Sequence, residues 1–152
     1  MKRILNNRLV LSLLILLSAA CSNDKKENGL SFNEKIKLRQ YLVQGESLYL
    51  NHCSNCHSAD GTGLRLLIPP LTDKTYIREN QNQLACILKF GLTGTININS
   101  NSYNETMPAN PTLTSLEIAE ILTYIGNSWG NELGIIDTDY VSKSLINCTA
   151  TQ

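Results

Sequence analysis

An all-α fold is what this sequence predicts, and three observations carry the prediction. Apolar residues recur at helical spacing from about Phe32 to Asn51. A complete helix-start signal stands at Thr114. Between them the chain is punctuated by Pro and Gly, with only one brief alternating stretch. The chain has 152 residues, 42% hydrophobic and 17% charged, which allows one domain with a real core and excludes a disordered polypeptide. Lys+Arg and Asp+Glu are both 13, so no basic excess points to nucleic acid.

Residues 1–20, MKRILNNRLVLSLLILLSAA, have the order of a secretory signal peptide. Lys2, Arg3 and Arg8 form a basic start, Leu9 to Leu17 an apolar run, and Ser18, Ala19 and Ala20 a small-residue end. A membrane span needs about 20 apolar residues, so a short N-terminal anchor is the weaker alternative. Cys21 follows directly, and "LSAAC" resembles the lipobox of bacterial lipoproteins. That resemblance implies cleavage before Cys21, lipidation of its thiol and a membrane anchor outside the cytoplasm, with a periplasm-facing domain. Burial of acyl chain is worth about 0.8 kcal/mol per CH₂, and more than one chain is needed for stable anchoring. Removing the three basic residues of the leader leaves ten against thirteen acidic ones, a net charge of −3. The polar stretch SNDKKENG, residues 22–29, reads as a solvated tether, so residues 21–31 are assigned to a lipidated linker.

The domain proper is expected over residues 32–130. In its first helix Ile36, Tyr41, Leu42, Gly45, Leu48 and Tyr49 form the apolar side, with Lys35, Arg39 and Glu46 outside. "SADGTG" is a loop, and "IPPL", residues 68–71, cannot lie in a helix interior. Short helices are expected over Lys74–Glu79 and from about Asn82 to Phe90, the second stopped by Gly91 at its C′ position. "TININSNSYN" fits a small ribbon or extended loop. Thr114 and Glu117 make a capping box, flanked by a Leu113–Ile118 hydrophobic staple. The helix they start should run from Ser115 to about Ser128, with Leu116, Ile121, Leu122 and Ile125 on its apolar side. Residues 131–152 form a C-terminal extension with no motif, folded back on the domain or free of it.

The chemistry concentrates in "YLNHCSNCHSADGTG", residues 49–63. Cys53, Cys56 and His57 could be a zinc half-site, a redox pair or a haem attachment point. Structural zinc needs four protein ligands, and no second CxxC exists. A thioredoxin-like pair needs a preceding strand and a βαβ setting, whereas a helix precedes this one. Haem c fits every feature: two thiols add to the vinyl groups as thioethers and the adjacent imidazole becomes an axial ligand. One CxxCH argues for one haem. Met107, the only methionine besides Met1, lies in the proline-bearing loop "YNETMPA", 50 residues beyond His57, and is the candidate for the second axial ligand. A core gap-filler is the competing role for a lone methionine. Lys89 is an optional replacement ligand at high pH, and His52 reads as a helix-surface residue.

With these residues the chain resembles the class I, mono-haem cytochromes c over roughly residues 35–130. Gly45 and Tyr49 stand eight and four residues before Cys53, as in the family's first helix. Ile121 and Tyr124 look like the matching pair on its last helix. The resemblance implies three to five helices around one covalently bound haem. It also implies that the carbonyl of Pro69, twelve residues after His57, accepts from the proximal imidazole, with Pro70 as the other candidate. Leu64, Leu71, Leu84, Leu88, Ile121 and Tyr124 are expected as pocket walls. The remaining cysteines, Cys86 and Cys148, are an even pair in an oxidising compartment, which suggests a disulfide closing a loop of about 60 residues, worth roughly 4 kcal/mol.

An iron held by His57 and Met107 has no open position, which favours moving single electrons over binding small ligands. The expected function is therefore a membrane-tethered one-electron carrier rather than an enzyme, or the haem subunit of an oxidoreductase complex. Its partners would be a quinol oxidoreductase, dehydrogenase, oxidase or reductase. The alternative is a peroxidase-like haem enzyme or ligand sensor in which Met107 is displaced.

Overall fold

The computed structural model describes residues 29–148. The leader, Cys21 and most of the tether lie outside them. The described fold is all-α with one two-stranded ribbon. Six helices occur among the described residues: α1 Phe32–His52, α2 Ser54–His57, α3 Lys74–Glu79, α4 Gln81–Phe90, α5 Ser115–Ile125 and α6 Thr138–Ile146. Three to five were expected; the sixth comes from the C-terminal extension.

α1 and α5 form the centre. Gly45 on α1 is buried because α5 passes directly over it: a Cβ there would stand 2.1 Å from the carbonyl oxygen of Glu120 and 2.8 Å from the Cβ of Tyr124. Only a residue without a side chain admits that approach. One turn on, Tyr49 is fully buried and meets Tyr124 at 5.4 Å and Trp129 at 5.3 Å between ring centroids. Tyr124 and Trp129 close the triangle edge-to-face at 5.6 Å. Such pairs add about 0.5–1.5 kcal/mol each beyond the area they bury. Ile36, expected on the apolar side, is 42% exposed. It lies nine residues before Gly45, roughly 180° round the helix, so it faces away from α5.

α5 begins as its sequence dictates. The Thr114 hydroxyl accepts from the Glu117 N–H, and the Glu117 carboxylate accepts from the Thr114 N–H in return. Leu113 and Ile118 are both buried at the staple positions. Leu116, counted as apolar face, is 46% exposed, since it sits two residues from Ile118, roughly 200° away. The helix ends at Ile125 rather than Ser128. Beyond it Asn127 and Ser128 donate to Tyr124 and Ile125, three residues back, so the last turn tightens. Trp129 then takes a positive φ of 53°, in the turn that sets its ring against Tyr49.

The ribbon pairs β1 Ile96–Ile98 with β2 Asn101–Tyr103, antiparallel, through a turn at Asn99 and Ser100 with positive φ at both. Ile98 and Tyr103 point inward and are buried.

The extension folds back on the domain. The Thr123 hydroxyl donates to the Ile136 carbonyl and accepts from the Ile136 N–H. Asn127 makes a similar two-way pair with the Gly134 backbone. α6 starts at Asp137, whose side chain accepts from the Tyr140 N–H, and it packs on α4 and α5 through the fully buried Val141. The sulfurs of Cys86 on α4 and Cys148 beyond α6 are bonded, with Cα atoms 5.7 Å apart.

Candidate haem site

The CxxCH segment continues the path of α1. Cys53 N–H donates to Tyr49 and His57 N–H to Cys53, each four residues back, so the motif keeps helical bonding across a turn at Cys53, which caps α2 with a non-helical φ of −122°. The i, i+4 relation puts Cys53 and His57 on one face, and both are buried, at 8% and 7% exposed. Cys56 falls off that face and is exposed. Burial, with a smaller effect from Cys56, pushes the Cys53 thiol up to about 11.

The loop C-terminal to His57 orients its ring. Nδ1 donates to the Pro69 carbonyl at 3.1 Å, and Pro70 makes no such bond. The intervening residues are tightly braced. Gly63 N–H donates to the His57 carbonyl, the Ser58 hydroxyl donates to the Gly63 carbonyl, and Leu71 N–H donates to Gly61. Tyr49 donates to the Ser58 carbonyl at 2.5 Å, which joins the aromatic cluster to the end of the motif. Burial lowers the His57 pKa, and the Pro69 bond only partly opposes it, so the ring is held neutral with Nε2 unprotonated. A neutral imidazole whose other nitrogen donates to a carbonyl is a metal ligand fixed in one tautomer.

Met107 is held in place by backbone. Its N–H and carbonyl exchange hydrogen bonds of 2.9 and 3.0 Å with Leu92. The strand-like contact is possible because Gly91, directly after α4, has φ +80° and no side chain. A Cβ there would stand 2.5 Å from the Met107 carbonyl oxygen. Gly91 was expected as a helix stop, and nothing in its sequence setting reveals this second duty.

His57 and Met107 border the same cleft, along with Pro69, Leu92 and Ile96. One part of it has an apolar wall formed by Leu71, Ile77, Leu84, Leu88, Leu122 and Ile125, with Cys53 beside them. The adjoining part is bordered by Cys56, Ile68, Tyr103, Glu105 and Pro108. Of the expected walls, Leu71, Leu84 and Leu88 line the cleft. Leu64 is exposed instead, Ile121 is fully buried in the α1–α5 core, and Tyr124 belongs to the aromatic triangle. On α5 the cleft face is Leu122 and Ile125, one position round from Ile121. Lys89 is engaged elsewhere, donating to the carbonyls of Pro111 and Leu113 at 2.7 and 2.6 Å. His52 is exposed at the end of α1.

Two thiols, a neutral imidazole and a thioether around one apolar cleft are a donor set that fits a covalently attached porphyrin, and with the helical frame they define a c-type haem protein. The chain belongs to the Cytochrome c family, whose model matches residues 42–129. It is 33% identical over 104 residues to the cytochrome c subunit of the quinone alcohol dehydrogenase of Gluconobacter oxydans (strain 621H), covering 65% of this chain and 21% of that subunit. It is 31% identical over 93 residues to cytochrome c-552 of Thermus thermophilus, covering 59% of this chain and 70% of that protein. The chain thus spans about a fifth of the first relative and seven-tenths of the second. Its cofactor is the family's covalently attached haem c, and its domain is an electron carrier.

Proposed function

We propose that this chain is a one-electron carrier in which Cys53 and Cys56 anchor haem c through thioethers and His57 and Met107 are its axial ligands. The observation that carries the reading is the shared cleft: His57 and Met107, 50 residues apart in sequence, border one cavity from independently braced segments. When bound, the haem supplies the one-electron couple. The protein's own part is to keep both ligands seated in either oxidation state. Pro69 holds the His57 ring, Leu92 holds the Met107 backbone, and the leucines and isoleucines of α4 and α5 exclude water. Little rearrangement then accompanies electron transfer.

In this proposal residues 1–20 are removed on export, Cys21 carries lipid, and residues 21–31 tether the domain to a bacterial membrane, facing the periplasm. Residues 32–130 form the haem domain, and residues 131–152 are an extension serving as its brace. Among the described residues no helix is long and apolar enough to cross a membrane. A dehydrogenase is the proposed electron donor, on the strength of the likeness to the alcohol dehydrogenase subunit. A quinol oxidoreductase, oxidase or reductase completes the relay, or the chain acts as the haem subunit of one such complex. Tethering would raise its effective concentration near those partners.

Absorption spectra of the oxidised and reduced protein from its own host test the reading. A low-spin haem c spectrum with the weak far-red methionine–iron band and slow binding of CO is expected. High-spin iron that binds CO or peroxide at once would replace it with a ligand-binding function.

A further inference from the structure

The segment that carries Met107 is fastened to the end of α4 along its length. Leu92 and Met107 exchange two backbone bonds. Three residues on, Asn110 gives both its backbone N–H and its side-chain amide to the Leu88 carbonyl, at 3.2 and 3.3 Å. Beyond that, the Lys89 ammonium reaches across to the carbonyls of Pro111 and Leu113, at 2.7 and 2.6 Å. Of this set, only the two Lys89 bonds are charge-assisted, and they are the shortest. Lys89 also lies in the last turn of α4, where a cation is favoured by the helix dipole.

We propose that Lys89 is a positioning residue for Met107: its ammonium clamps residues 111–113 and so keeps the methionine loop from lifting off the cleft. This rests on the reading of Met107 as an axial ligand. The alternative use of Lys89, as a ligand that replaces Met107, requires the same ammonium to abandon both carbonyls.

The experiment titrates the oxidised, haem-loaded full-length protein with imidazole, which displaces a loosely held methionine. The far-red methionine–iron band reports the exchange. For Lys89→Gln the imidazole affinity should rise about tenfold, because hydrogen bonds from a charged donor carry that much free energy or more. Lys89→Arg, which retains charge and donors, should stay within about twofold of the wild type. A Lys89→Gln protein that keeps wild-type imidazole affinity, whether or not it melts at lower temperature, would overturn the clamp and leave Lys89 a structural residue only. A wild-type protein that lacks the band would overturn the assignment of Met107 itself, and the clamp with it, which separates the two failures.

Discussion

The Glu120 carbonyl occupies the space where a side chain at position 45 would begin, so Gly45 sets how closely α1 and α5 can cross. Gly45→Ala should force backbone apart rather than a flexible side chain. A loss of about 1–3 kcal/mol is expected, read from the urea midpoint of the haem-loaded protein. An unchanged midpoint would mean that the helices are free to slide.

The Cys86–Cys148 bond spans 62 residues and ties the end of the chain to the helix that supplies Leu84 and Leu88 to the cleft. The Cys148→Ser variant should lose roughly 4 kcal/mol at most, less where the packing of Val141 holds α6 in place without the bond. Denaturant curves of the variant and the wild type measure the difference. A thiol count on the denatured, unreduced protein checks that neither sulfur is free.

Thr114→Ala removes the cap of α5 and should cost about 1 kcal/mol. The same box is sensitive to acid. Hydrogen bonds from the Thr114 N–H, and then from its hydroxyl, hold the Glu117 carboxyl below its ordinary 4.5. The folded state therefore binds its proton later than the unfolded state. The stabilisation is fully present above pH 4.5 and is lost as pH falls through the folded-state value. Exposure to solvent makes the effect small. Urea midpoints of the wild type and Glu117→Gln should differ at neutral pH and converge in acid. A gap that persists in acid would assign the effect to packing.

Met107→Ala should leave the covalent attachment at Cys53 and Cys56 intact while opening one side of the iron. The expected result is an unchanged haem mass, loss of the far-red band and rapid binding of CO by the reduced protein. Retention of the band would exclude Met107 as the ligand.

α1, α3, α4 and α5 and their starts were legible because they rest on local rules. The Gly45–Tyr49 face, the box at Thr114 and the Phe90–Gly91 stop each lie within a few residues of sequence. Family resemblance carried the pairing of α1 with α5. What stayed hidden was non-local or a matter of phase. Leu122 and Ile125 face the cleft while Ile121 does not, a difference of one position on a helix that is buried along the whole run from Ile118 to Thr123. α6 went unseen because it is only nine residues long and its cap, Asp137, comes after an irregular stretch. The Leu92–Met107 pairing and the Lys89 bonds join segments about 15 to 24 residues apart, and no spacing rule announces them.

Trp129 is the chain's sole tryptophan, and it sits against Tyr49, one helical turn from Cys53. A porphyrin so near drains the excitation of an indole, so emission should stay dark while the polypeptide is native and brighten once the ring drifts away. The molecule thereby carries its own optical gauge of unfolding, with no dye or label to attach.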